Sequence, residues 1–213
     1  MIFLIDEDIV KMKPTNKQIF CNPLSKNNPV TVQMLGICSA LAVTSKLEPA
    51  VIMAVSVTAV TGFSNLILSL MRNTIPSRIR IIIQLVVVAA LVSVINEILK
   101  AYVYDVSKQL SVFIGLIITN CIVMGRIEAF ALANKPLPSL IDGLGNGLGY
   151  GIVLVLVGFV RELLGSGTLW GKEIIPKSFY DAGYENNGLV ILPPMALIIV
   201  ACIIWIQRRK IDN

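Results

Sequence analysis

The chain contains no histidine, and only 15% of its 213 residues carry a charge. The lack of histidine excludes bis-histidine haem, most zinc and copper sites, and histidine-based acid–base catalysis. The scarcity of charge excludes an ordinary soluble domain, which needs far more polar surface at this size. Since 55% of the residues are hydrophobic and the mean hydropathy is +0.79, the sequence predicts an all-α, polytopic membrane protein.

Two sequence motifs are also missing. The four cysteines show no Cys-x-x-Cys spacing, so the chain lacks a self-contained cluster motif. The glycines of residues 143–151 miss the Gly-x-Gly-x-x-Gly spacing of dinucleotide loops, and their Gly-x-x-x-Gly pairs predict close helix packing instead. Ligand binding by this run, and cation coordination by Asp142 and Asn146, are the alternatives. Without a nucleophile–base pair, no catalysis is expected from the isolated chain.

Six apolar segments are predicted between a polar arm, residues 1–29, and a tail, residues 208–213. Insertion is expected to use the first of these segments, because the apolar start of the arm is too short for a signal peptide. The first and fourth segments are short, and Gly36 and Gly115 are their expected break points. The predicted segments are residues 30–46, 49–71, 78–102, 110–125, 138–164 and 189–207.

In the membrane domain, residues 30–207, the same order of segments occurs twice: a short broken segment is followed by two longer ones. Residues 30–104 and 110–207 form the two repeats, and three crossings between them place the halves in opposite orientation, which is typical of inverted repeats. Twelve of the 18 lysines and arginines fall on the side of the termini. The positive-inside rule therefore predicts cytoplasmic termini, and the basic residues indicate topology rather than nucleic-acid binding.

Cys38 and Cys121 lie in the two short segments at similar predicted depths. At 1.5 Å per residue they are ~12 Å and ~16 Å from opposite edges of a core ~30 Å thick. This match indicates a shared site for a soft metal, since thiolates are soft ligands. The alternative is that both cysteines only pack as small apolar residues. A four-thiolate site would need two more cysteines from a partner chain, because Cys21 and Cys202 lie outside the predicted midplane.

Several stretches closely resemble the D subunit of the sodium-translocating NADH:quinone reductase. They are residues 35–44, 80–126, 141–151 and 161–167, within a likeness that covers residues 28–205. The string Thr-Asn-Cys-Ile-Val-Met-Gly-Arg that ends at Arg126 is highly specific. The E subunit of the electron-transferring Rnf complex has the same arrangement of segments, but in that subunit a proline usually follows the first cysteine. Ser39 at that position favours the quinone reductase.

The resemblance implies that this chain pairs with a homologous E subunit inserted in the opposite sense. Two cysteines from each, here Cys38 and Cys121, would hold a [2Fe-2S] cluster within the bacterial inner membrane. Electrons from NADH would pass through this centre towards flavins and ubiquinone while sodium is exported. FAD, FMN and riboflavin would be bound only by other subunits of the six-subunit complex. The implied surroundings are those subunits and the lipid bilayer, without nucleic acid.

Two other functions compete with this electron relay. One is a stand-alone secondary transporter or channel with inverted repeats, in which the cysteines only pack. The scarcity of charge within the apolar segments weighs against it, because coupling-ion sites need such groups. The other is a purely structural role, in which the cysteines could be replaced without loss of quinone reduction.

Overall fold

A computed structural model describes residues 16–25, 28–76, 78–102, 115–169, 172–173 and 188–212. Within these ranges the regular secondary structure is helical except for one short β-ladder. The helices are α1 Asn16–Ser25, α2 Ile37–Val43, α3 Leu47–Met71, α4 Arg80–Tyr102, α5 Cys121–Arg126, α6 Pro136–Ser166 and α7 Pro193–Asp212. A π-helix, Ile127–Ala131, continues α5, and a 3-10 helix, Gly188–Ile191, precedes α7. The ladder pairs β1, Thr168–Leu169, with β2, Lys172–Glu173, in antiparallel register.

Three of the described helices are long and apolar enough to cross a membrane: α3, α4 and α6. Helix α3 has 25 residues and so extends ~38 Å at 1.5 Å per residue, which exceeds the thickness of a hydrocarbon core. The long segments predicted at residues 49–71, 78–102 and 138–164 are therefore confirmed as helices. The apolar part of α7, Pro193–Gln207, is shorter, and the six-span arrangement remains a prediction.

Helices α3 and α6 form an antiparallel pair at the centre of the fold. At one end the Glu162 carboxylate of α6 accepts a hydrogen bond from the backbone N–H of Leu47, the first residue of α3. At the other end, Nδ2 of Asn65 donates to the carbonyl oxygen of Ser139 at 3.3 Å. Since the start of each helix lies beside the end of the other, the two long helices run in opposite directions.

The glycine run of α6 packs against neighbours on two sides. Gly143, Gly147 and Gly151 face α3, where a Cβ built at Gly147 would lie only 2.6 Å from the Cα of Thr58. Gly145 and Gly149 face α1, where a Cβ at Gly145 would lie 3.0 Å from the carbonyl oxygen of Phe20. The predicted packing role of the run is thus confirmed. Helix α1 lies within the predicted arm, residues 1–29, so part of this arm packs against α6.

The two predicted breaks have different outcomes. Gly36 has a φ of +81° and precedes α2, so the first break lies where glycine was expected to permit it. The structure shows a second break at Thr119 and Asn120, after the helical residues 115–118. The expected break at Gly115 remains a prediction, because the residues directly before Gly115 lie outside the described ranges. Asn120 is extended and caps α5 with its side chain, whereas a glycine within a helix is tolerated. Residues 110–114 lie outside the described residues.

Arg161 of α6 links α2 to the 3-10 helix that precedes α7. Its side chain is 1% exposed and donates to the carbonyl oxygens of Val190 at 3.3 Å, Leu41 at 3.4 Å and Ile191. It also donates to Oγ1 of Thr44 at 2.6 Å. The guanidinium thus ties the C-terminal end of α2 and the 3-10 helix to α6.

Candidate cysteine site

Cys38 is the second residue of α2, directly after the break at Gly36. The left-handed backbone of Gly36 turns the chain from the irregular residues 28–35 into the helix. The side chain of Ser39 then donates a hydrogen bond back to the carbonyl oxygen of Gly36 at 2.9 Å. The same carbonyl also accepts the backbone N–H of Ala40 at 3.1 Å, so two hydrogen bonds fix the first turn of α2 on Gly36. The cysteine is therefore presented by a short helix with a stabilised start.

Cys121 is the first residue of α5 and directly follows the second break. Oδ1 of Asn120 accepts a hydrogen bond from the backbone N–H of Ile122 at 3.1 Å, so Asn120 acts as an N-cap. Both cysteines thus occupy the first turn of a short helix that begins after a break. Cys21 lies instead in α1 and Cys202 in α7, neither at the start of its helix.

The two broken segments contact each other. A Cβ built at Gly36 would lie 2.6 Å from Cδ1 of Ile122, so the side chain of Ile122 covers this break. A Cβ built at Gly125 would lie 3.3 Å from Cδ1 of Leu35. Ile122 is fully buried in this contact. The residues that flank Cys38 and Cys121 are therefore packed together within one fold.

Tyr150 of α6 lies between the two segments. Its hydroxyl is 2.8 Å from Oγ of Ser39, and its Cε2 would be 3.1 Å from a Cβ at Gly36. The side chain of Asn120 and the thiol of Cys121 also lie within electrostatic reach of this hydroxyl. One fully buried aromatic residue of a long helix in the second half thus contacts the break at Gly36 and lies near the break at Asn120.

Both candidate thiols are exposed on this chain, as are those of Cys21 and Cys202. Exposure alone does not distinguish the four, but only Cys38 and Cys121 are joined by contacting breaks. Among the described residues, no group of three or more His, Cys, Asp or Glu side chains is placed to hold a metal ion. Two exposed thiols beside contacting breaks would amount to half of a four-thiolate set.

A buried ion pair joins the end of α5 to α6. Nε and Nη2 of Arg126 donate to the two carboxylate oxygens of Asp142 at 3.1 Å and 2.6 Å. Nδ2 of Asn146 donates to the same carboxylate at 3.0 Å. Because Arg126 neutralises Asp142, the geometry favours internal pairing over the cation site considered for Asp142 and Asn146.

Sequence reasoning did not identify Tyr150 or the partner of Asp142. The pair could have been inferred from the opposite charges of Arg126, at the end of one predicted apolar segment, and Asp142, near the start of the next, since charges at membrane depth need partners. Tyr150 was noted only as part of the glycine run, although a single bulky polar side chain among glycines is unusual there.

Glu128 accepts a hydrogen bond from Nε2 of Gln84 at 2.9 Å and pairs with Arg80, which fastens α4 to the π-helix.

Comparison with known proteins places this geometry in context. The family model described as "Rnf-Nqr subunit, membrane protein" matches residues 16–204. The D subunit of the Na(+)-translocating NADH-quinone reductase of Shewanella baltica (strain OS155 / ATCC BAA-1091) is 57% identical over 192 residues, which cover 90% of this chain and 91% of the relative. The protein of the same name from Shewanella putrefaciens (strain CN-32 / ATCC BAA-453) is 56% identical, with the same coverage. The chain belongs to the Rnf-Nqr family of membrane subunits.

Proposed function

We propose that this chain is the D-type membrane subunit of a sodium-translocating NADH:quinone reductase, and that Cys38 and Cys121 hold one half of an intramembrane [2Fe-2S] centre. The observation that carries the proposal is the contact between two backbone breaks, each followed within two residues by a cysteine with an exposed thiol. The names of the curated relatives support the identity of the complex. When bound, such a centre accepts and donates single electrons.

The donor set fits half of a four-thiolate site. Thiolates are the ligands that iron–sulfur clusters require, and the described residues contribute two of them at the paired breaks. A homologous E subunit, inserted in the opposite orientation, would supply the other two. The exposure of both thiols supports a shared site, because a neighbouring chain has to reach whatever Cys38 and Cys121 bind.

The arrangement within the membrane would be two inverted three-helix repeats with both termini in the cytoplasm of a bacterial cell. In each half a short helix that begins after a break precedes a long one: α2 before α3, and α5 before α6. The long helices α3 and α6 run antiparallel and pack through small residues. Opposite orientation of the halves would produce this antiparallel pairing.

The residues around the cysteines have a structural task. Irregular backbone at membrane depth is tolerated only where protein covers it and its polar groups are satisfied. The carbonyl of Gly36 accepts hydrogen bonds from the N–H of Ala40 and the hydroxyl of Ser39, and Asn120 satisfies the N–H of Ile122. Buried apolar side chains, including Ile122 and Val43, exclude water from the space behind the breaks. Binding of NADH, flavins and quinone would fall to other subunits.

A stand-alone transporter receives less support from the buried charges. The buried carboxylates among the described residues are Asp142 and Glu162. Asp142 is paired with Arg126, and Glu162 accepts the N–H of Leu47, so both already have internal partners. A coupling-ion site would instead need carboxylates facing a cavity.

The proposal is tested with Cys38→Ser, Cys121→Ser and Cys202→Ser in the purified complex. The first two variants are expected to abolish NADH-driven quinone reduction and sodium uptake into proteoliposomes, because each removes a ligand of the relay. Cys202→Ser is the matched control and is expected to keep both activities. Equal activity in all three variants would refute the site. Sodium flux through the isolated chain without NADH would support the transporter instead.

A further inference from the structure

We propose that Tyr150 is a positioning residue whose hydroxyl clamps the two backbone breaks together and thereby fixes how Cys38 and Cys121 are presented. The identity of what the cysteines hold rests on the proposed function. The clamp itself rests on contacts between α2, α5 and α6. Tyr150 lies in the second half of the chain but reaches residues next to both cysteines.

The direction of the hydrogen bonds can be assigned on the side of Cys38. Oγ of Ser39 donates to the carbonyl oxygen of Gly36 at 2.9 Å and lies 2.8 Å from the hydroxyl oxygen of Tyr150. A serine hydroxyl has a single proton, which is used on Gly36. Tyr150 must therefore donate its own proton to Ser39. The result is a chain of donors that runs from Tyr150 through Ser39 to the first break.

On the side of Cys121 the hydroxyl oxygen of Tyr150 is left to accept a hydrogen bond. Nδ2 of Asn120 is buried and has no partner among the described residues within hydrogen-bonding distance, while Oδ1 of the same side chain is used by Ile122. The Asn120 side chain lies beside the Tyr150 hydroxyl. A small shift of this amide would complete the chain from Asn120 through Tyr150 to Ser39. The buried Nδ2 of Asn120 is thus an independent indication that the hydrogen-bond chain extends from Tyr150 to the second break.

The location of the clamp gives it influence over both cysteines. Ser39 follows Cys38 directly, and Asn120 precedes Cys121 directly. Hydrogen bonds in a low-dielectric interior are stronger than in water, and chains of them reinforce one another. Groups behind the ligands orient them and tune the potential of what they hold. Without the hydroxyl, the two breaks would keep their apolar contact, but Ser39 would lose its bond to Tyr150 and the buried Nδ2 of Asn120 would lose the acceptor that a small shift brings within reach.

The experiment compares Tyr150→Phe with the unmodified complex. Phenylalanine keeps the ring that packs on Gly36 and removes only the hydroxyl. Thr61→Val is the matched control, because it removes a buried hydroxyl that bonds the carbonyl of Val57 within α3. Iron content, the midpoint potential of the centre by EPR-monitored redox titration, and amide hydrogen exchange are measured on each complex.

Tyr150→Phe is expected to retain the iron while its midpoint potential shifts and its EPR lines broaden. Amide exchange in residues 36–44 and 119–126 is expected to be roughly fivefold faster, the loss typical of one hydrogen bond. Thr61→Val is expected to match the unmodified complex in these segments. An unchanged potential, spectrum and exchange rate in Tyr150→Phe would overturn the clamp.

Ser39→Ala provides a second route should Tyr150→Phe fail to assemble. It removes the acceptor of the Tyr150 hydroxyl and is expected to raise exchange in residues 119–126, although Ser39 itself lies on the other segment. Unchanged exchange there would overturn the clamp. Absence of iron from the unmodified complex would count against the proposed function alone, because the exchange comparison does not depend on iron.

Discussion

At the scale of single residues, the two breaks are made by different chemistry. Gly36 adopts a φ of +81°, which L side chains rarely adopt, and it leaves room for Ile122. Asn120 keeps an ordinary extended backbone and caps the start of α5 with its side chain. One break therefore depends on a missing side chain and the other on a particular polar side chain.

Gly36→Ala is expected to destabilise the protein. A left-handed backbone costs an alanine roughly 1–2 kcal/mol, and the added Cβ would lie 2.6 Å from Cδ1 of Ile122. The thermal unfolding midpoint of the purified complex should fall. Gly115→Ala is the matched control, since Gly115 is exposed and helical, and a Cβ there would meet no described atom within 4 Å. Equal midpoints for the two variants would contradict the role assigned to Gly36.

Asp142→Asn is expected to be strongly destabilising, by about 3–5 kcal/mol, because it leaves the Arg126 guanidinium buried without its counter-charge. Unfolding in denaturant reports the loss. Glu97→Gln removes the carboxylate of the exposed Lys100–Glu97 pair and should cost less than about 1 kcal/mol. A loss of similar size in both variants would argue against a buried, mutually dependent pair at Asp142.

The candidate cysteines could be chosen from the sequence because residue type and predicted depth agreed. The break at Asn120 could not, since glycine is only one of several ways to interrupt a helix. Tyr150 was missed for a different reason: its contacts join α6 to residues more than a hundred positions earlier. Contacts at such separations leave no local pattern in a single sequence.

At the scale of elements, the length of the apolar runs was sufficient to predict α3, α4 and α6. The glycine spacing of α6 also predicted close packing correctly, although not that α1 and α3 would occupy separate faces of it. The π-helix after α5 and the 3-10 helix before α7 were not predicted. The 3-10 helix is held by bonds from Arg161 to Val190 and Ile191, and the π-helix is held to α4 through Glu128, so both make tertiary contacts that local composition does not reveal.

Gly147→Ala is expected to disturb the packing of α3 on α6 more than Gly158→Ala. The new Cβ at Gly147 would lie 2.6 Å from the Cα of Thr58, which is backbone and cannot turn aside. At Gly158 it would lie 3.3 Å from the Cβ of Ala50. Overpacking of this kind costs about 1–3 kcal/mol, so the unfolding midpoint should separate the variants. The reverse order would contradict the antiparallel contact.

At the scale of the whole molecule, the antiparallel α3 and α6 support an inverted arrangement of the two halves. The number of crossings rests on the six apolar segments, and the side of each terminus rests on the distribution of basic residues. Reporter fusions test both. Alkaline phosphatase is expected to be inactive after residue 213 and between residues 72 and 79, and active between residues 103 and 109. Activity at the C-terminus would contradict cytoplasmic termini.

The central claim is that this chain supplies two thiolates to a shared iron–sulfur centre in the membrane. The most direct measurement is the iron and acid-labile sulfide content of the intact complex, with and without Cys38. The account predicts that Cys38→Ser loses the iron and sulfide of one [2Fe-2S] centre, whereas Cys202→Ser loses none. Full iron and sulfide in the assembled Cys38→Ser complex would contradict it.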